Sequence, residues 1–69
     1  MDAIEKELSA RKEEIQKELQ LLFKANMKIT DWDIPEVDDT EVANRLVDIF
    51  QEALETIKED IRNNKYQNY

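Results

Sequence analysis

Apolar residues recur with a helical period near the start of the chain. At about 100° per residue, five of them fall within an arc of about 60°. Asp2 precedes this pattern as a candidate N-cap, and Glu5 follows it at the spacing of a capping box. The pattern predicts a first helix over about residues 3–26. Its narrow apolar stripe consists of Ile4, Leu8, Ile15, Leu19 and Leu22.

A second helical pattern occupies the later part of the chain, and its apolar face is much wider. Its apolar positions cover an arc of about 160°. Asp38, Asp39 and Thr40 are all residue types that cap helix N-termini. A second helix is therefore predicted from about residue 40 to about residue 64, followed by a polar tail at 65–69 that we expect to fray. The wide face contains Val42, Ala43, Leu46, Val47, Ile49, Phe50, Ala53, Leu54, Ile57 and Ile61.

The segment between the two patterns, about residues 27–38, is a connector that mixes apolar and acidic residues. It holds the only proline, Pro35, which disfavours helical backbone at Ile34. We expect an ordered connector whose apolar side chains pack over one end of the helices. These side chains are Met27, Ile29, Trp32, Ile34 and Val37.

Two long helices and a short connector predict an all-α single domain at 1–69, folded as an antiparallel helical hairpin. A 160° face is too wide for one neighbouring helix, so we expect a second copy of the chain to complete a dimeric four-helix bundle. The alternative is a monomer in which the connector covers the second helix. The expected self-association core comprises Ile4, Leu8, Ile15, Leu19, Leu22, Leu46, Ile49, Phe50, Ala53, Leu54, Ile57 and Ile61.

Arg11 lies within the apolar stripe of the first helix. Its aliphatic part can follow the edge of the core while the guanidinium reaches water. Alternatively, Arg11 forms an ion pair that fixes the register of pairing. Hairpin geometry makes Glu52 and Glu55 the candidate partners for that pair.

The composition excludes much chemistry. The chain has no cysteine, histidine or glycine, so it lacks thiolates, imidazoles and the glycine loops that hold phosphates. Asp31 and Asp33 match the first two positions of a calcium-binding loop, but Pro35, Glu36 and Val42 break the rest of that pattern. We therefore expect no enzyme activity, cofactor or metal.

The net charge of −7 is concentrated in one segment. Residues 26–41 carry six acids and a single lysine, a local charge of −5. This excess disfavours direct binding to nucleic acid or to an anionic membrane surface. There is no apolar run long enough to span a bilayer, and the acidic start of the chain lacks the features of a signal peptide. We therefore expect a cytoplasmic protein.

The single tryptophan stands among these acids. Trp32 is either a core aromatic or a binding anchor. As an anchor, it would act with Asp31, Asp33, Glu36 and Asp38, whose charge attracts a basic partner. The sequence thus predicts an acidic, self-associating interaction module that serves as a regulator, adaptor, chaperone or inhibitor/antitoxin of a protein partner. The alternative is an acidic nucleic-acid mimic that blocks a DNA-binding protein.

Overall fold

The computed structural model describes residues 2–68. Helix α1 spans Ala3–Asp33 and helix α2 spans Asp39–Arg62. The other described residues form turns and short irregular stretches, and residues 2–68 contain no strand. The all-α prediction is therefore confirmed. The described residues divide into two units, one ending at Pro35 and the other beginning at Glu36.

Asp2 and Pro35 set the two ends of α1. The Glu5 backbone N–H donates to Oδ1 of Asp2 at 2.7 Å, so Asp2 is the N-cap. At the other end, Ile34 leaves the helical region with φ −133° and ψ 81°. Pro35 explains this exit, because its ring clashes with helical backbone at the residue before it.

The predicted end of the first helix near residue 26 is wrong, because α1 continues for seven more residues to Asp33. Side-chain hydrogen bonds to carbonyls one turn back accommodate the polar residues there. Asn26 Nδ2 donates to the Leu22 carbonyl at 2.9 Å, and Thr30 Oγ1 donates to the Asn26 carbonyl at 3.0 Å. Residues 27–33 also contain neither glycine nor proline, so nothing in the sequence stops the helix before Pro35.

The predicted packing of the connector is also corrected. Met27 and Val37 are half-buried, but Ile29, Trp32 and Ile34 are exposed. Ile29 and Trp32 are exposed because they belong to α1 and lie on a different side of this helix from the half-buried Met27. Trp32 is 86% exposed and is not a core residue of this chain.

Helix α2 begins and ends with favourable charges. Asp38 is its N-cap, since Oδ1 of Asp38 accepts the Thr40 backbone N–H at 2.9 Å. Asp39 and Glu41 lie in the first turn and Arg62 lies in the last. Acids at the N-terminus and a base at the C-terminus both complement the helix dipole.

The segment after α2 is wound into hydrogen-bonded turns and differs from the predicted frayed tail. Asn64 has φ 62°, and its N–H donates to the Ile61 carbonyl at 3.0 Å. The Lys65 N–H donates to the Asp60 carbonyl at 2.9 Å. This is the Schellman arrangement, with asparagine in the left-handed position that glycine usually fills. Lys65 Nζ also lies 3.4 Å from Oδ1 of Asp60. Tyr69 is outside the described residues.

Burial is slight in both units. Within residues 2–68 the one buried hydrophobic side chain is Val42, at 8% exposure, and α1 has no buried residue. Half-buried side chains are confined to the later part of α1, the connector, the first half of α2 and one position near its end. They are Phe23, Asn26, Met27, Thr30, Val37, Ala43, Leu46, Phe50 and Asp60.

Candidate interaction surfaces

The apolar stripe predicted on α1 is fully exposed in the single chain. Exposure of its side chains runs from 43% at Ile15 to 73% at Ile4. A groove of about 490 Å³ follows part of it, lined by Glu5, Leu8, Ser9, Lys12, Ile15 and Gln16. Contiguous exposed apolar surface of this kind often marks an interaction site.

The α2 residues of the predicted core divide into two groups. Leu46 and Phe50 are half-buried, and both lie in the first half of the helix. The remaining predicted core residues of α2 are exposed, namely Ile49, Ala53, Leu54, Ile57 and Ile61. The second half of the wide apolar face is therefore as accessible as the stripe on α1.

The added turns of α1 reveal a repeat that a helix ending at residue 26 conceals. Apolar residues occur every seven positions at Leu8, Ile15, Leu22 and Ile29. In heptad notation these are a positions, and the intervening d positions include Trp32. We call these positions together the heptad face: Ile4, Leu8, Arg11, Ile15, Glu18, Leu22, Ala25, Ile29 and Trp32. Sequence reasoning did not place Ile29 and Trp32 on this face because it ended the helix too early, and Ala25, although inside the predicted helix, was not counted in the apolar stripe.

The heptad face is distinct from the half-buried side of α1. Phe23, Met27 and Thr30 are half-buried, and at about 100° per residue they lie roughly 140° round the helix from Ala25 and Ile29. Helix α1 thus presents two apolar sides. One side is half-buried around Phe23 and Met27, and on the other side every residue of the heptad face is exposed.

Arg11 pairs within its own helix. Its Nη1 lies 3.9 Å from Oε1 of Glu7, four residues earlier, and both side chains are exposed. Glu55 lies 3.4 Å from Lys58 Nζ. The ion pair of Arg11 with Glu52 or Glu55 that was expected to fix the register of pairing stays a prediction. Arg11 shares the heptad face with Glu18, an opposite charge seven residues later.

The tryptophan and its neighbouring acids lie together at the end of α1. Lys28, Asp31, Trp32 and Pro35 line a shallow concavity of about 570 Å³. The last turn of α1 holds no basic residue, while Asp31 and Asp33 lie near its carboxyl end, where the helix dipole is negative. Among the candidate partner-binding acids, Glu36 is exposed in the connector, whereas Asp38 caps α2.

Acids on the outer side of α2 are largely paired with bases of the same helix. Glu41 Oε1 lies 2.7 Å from Arg45 Nη2, and Glu55 pairs with Lys58. Glu59 and Arg62 form another pair. A shallow hollow of about 800 Å³ runs along this side, lined by Asp48, Gln51, Glu52, Leu54, Glu55 and Lys58. The pairing breaks up any continuous row of negative charge on α2.

Residues 2–68 contain no group of three or more carboxylates placed to hold a metal ion. Neither α1 nor α2, as described, has the apolar length that crossing a membrane requires. Comparison of the chain with protein-family models, with curated proteins and with solved structures gave no match.

Proposed function

We propose that this protein is a small acidic interaction module that dimerises as a pair of helical hairpins and binds a basic protein partner. One observation carries the proposal. Fifteen large hydrophobic side chains are exposed, against the one buried side chain, Val42, found within residues 2–68. Moving a fully exposed aliphatic side chain into a core stabilises a protein by roughly 1.5–3 kcal/mol, so burying what these side chains still expose favours association. A second copy offers the means to bury them.

The end of α1 supports a basic partner. Trp32 is almost fully exposed, and tryptophan is enriched among the residues that dominate binding energy. Asp31 and Asp33 stand at the unfavourable end of the helix dipole. Residues that break a local rule often serve function, and a cation of the partner would offset their charge.

Such a module fits a regulator, an adaptor, a chaperone, or an inhibitor or antitoxin that neutralises a basic protein. We place this interaction in the cytoplasm, because a chain without cysteine gains no stability from an oxidising compartment.

Sedimentation equilibrium tests self-association. We expect a dimer at micromolar concentration, and Leu46→Asp and Phe50→Asp should dissociate and unfold the protein together. The physical reason is that fold and dimer share one core, so stability depends on protein concentration. Gln51→Asp adds the same charge on the polar side of α2 and should leave the dimer intact. A compact, stable monomer at micromolar concentration would contradict the proposal.

Partner capture tests the second half of the proposal. Trp32→Ala should abolish retention of a basic protein, and Tyr66→Ala, an aromatic deletion in the C-terminal turns, should not. Because Trp32 is the only tryptophan, its fluorescence also reports binding directly. Competing duplex DNA distinguishes the nucleic-acid mimic. Salt-sensitive displacement of this protein by DNA, lost on charge reversal at Asp31 and Asp33, would favour that alternative.

A further inference from the structure

We infer that the heptad face of α1 is the surface that meets a second copy of the chain, and that the two α1 helices run antiparallel. This inference rests on the proposed self-association and specifies its interface. Within this face, the pairing surface runs from Ile4 to Ile29 along one continuous helix, and Trp32 lies beyond its last layer, at the end of α1 that the proposed basic partner binds. Apolar a positions sustained over four heptads, with apolar d positions at Ile4 and Ala25, match part of the sequence pattern of a coiled coil.

The a positions are accessible where a partner helix would dock. Leu8, Ile15, Leu22 and Ile29 are 49%, 43%, 53% and 57% exposed. Coiled-coil packing inserts each such side chain into a hole formed by four residues of the facing helix. A shallow groove that includes Leu8 and Ile15 borders this face.

Charge decides the orientation. Arg11 and Glu18 occupy d positions in the middle of an otherwise apolar row. In a parallel, in-register pair, Arg11 would face Arg11 and Glu18 would face Glu18, and both contacts are repulsive. In an antiparallel pair, each Arg11 lies one layer from Glu18 of the other copy. The two repulsive contacts of the parallel pair are then replaced by two attractive ones, each between Arg11 of one copy and Glu18 of the other.

Charge also selects one antiparallel register. In the register that overlaps the helices most fully, Leu8 meets Ala25 of the second copy and Ile4 meets Ile29. Glu7 then flanks Lys28 of the second copy. A shift of one heptad in one direction brings Glu14 against Glu14, and a shift in the other direction brings Glu5 against Asp33. The full-overlap register avoids both repulsions, which is how flanking charges specify coiled-coil alignment.

Disulfide exchange between single-cysteine variants tests the orientation, since the chain has no native cysteine. Leu8→Cys and Ala25→Cys are mixed in a thiol redox buffer. The antiparallel register predicts that the mixed disulfide exceeds both symmetric ones by about tenfold, because pairing raises the effective thiol concentration. Glu13→Cys, on the opposite side of α1, mixed with Leu8→Cys should give a statistical product distribution.

Charge reversal gives an independent test. Arg11→Glu and Glu18→Arg should each weaken the dimer by about tenfold, and the double reversal should restore wild-type dimerisation, since it recreates the opposite charges. Lys17→Glu and Glu13→Lys change the net charge equally on the outer side of α1 and should have little effect.

The outcomes separate the two proposals. A wild-type monomer would overturn self-association itself. If the wild-type protein is a dimer but the Leu8→Cys and Ala25→Cys variants form mainly symmetric disulfides, the antiparallel arrangement is overturned and self-association still stands. A dimer with statistical disulfides and no response to charge reversal would place the interface elsewhere on the chain.

Discussion

The two helices of this protein differ in how completely they satisfy the ordinary rules of helix stability. Helix α2 has acids in its first turn, Arg62 in its last turn and three ion pairs along its length. Helix α1 has one long ion pair, no base in its last turn and no buried residue. Yet α1 is the longer helix by seven residues, 31 against 24.

This difference indicates which helix depends more on packing for its stability. Stability from caps and ion pairs is local, so α2 carries much of it within its own sequence. A long helix with few such local contacts depends mainly on the packing of its apolar faces for stability. We therefore expect the stability of α1 to depend more on packing than that of α2, while both helices expose apolar side chains.

The largest expected change in the free energy of unfolding comes from breaking α1 within residues 27–33, the part of the helix that extends beyond its predicted end. Lys28→Pro removes a helical N–H and clashes with the preceding turn, so it should cost about 3 kcal/mol and lower the helical circular dichroism. Lys28 is exposed, and Lys28→Ala is therefore a control that keeps the helix. If Lys28→Pro unfolds in urea at the wild-type midpoint, residues 27–33 are not a stable part of α1.

A smaller effect is expected at the end of α2. Asn64 adopts φ 62°, a region that costs most non-glycine residues roughly 1–2 kcal/mol. Asn64→Ala should therefore lower the free energy of unfolding by about 1 kcal/mol, and Asn64→Gly should hold or raise it. The neighbouring Asn63 has φ −92°, so Asn63→Ala serves as the matched control. Equal unfolding midpoints for Asn64→Ala and Asn64→Gly would show that α2 does not end in the Schellman arrangement.

The sequence was sufficient where a local chemical rule acts alone. Asp2 was identifiable as a cap and Asp38 was one of three candidates, because a carboxylate at these positions can accept a backbone N–H two or three residues on. Pro35 also showed that no helix passes Ile34, although the first helix was predicted to end earlier, near residue 26. The apolar period was likewise enough to predict two helices.

The sequence was insufficient where several weak effects compete. Residues 27–33 are acidic and mixed in pattern, and two side-chain hydrogen bonds, from Asn26 and Thr30, accompany the continuing helix. Because the helix was ended early, Ile29 and Trp32 were not recognised as continuing the seven-residue repeat of Leu8, Ile15 and Leu22. A turn ended by asparagine instead of glycine was equally hard to foresee, since the left-handed conformation of Asn64 is visible only in the backbone.

The smallest expected effect compares the same substitution at opposite ends of two helices. Asp33→Asn removes a charge from the negative end of the α1 dipole and should raise the free energy of unfolding by about 0.3–1 kcal/mol. Asp39→Asn removes a charge from the positive end of α2 and should lower it by a similar amount. Chemical denaturation at low salt measures both, and the difference should shrink at high salt because these side chains are exposed. If Asp33→Asn stabilises the chain while weakening its hold on a basic partner, the acid at the end of α1 is kept for binding at the expense of stability. If both substitutions change stability in the same direction, the dipole does not distinguish the two helices, and the charge at the end of α1 gives no reason to expect a partner there.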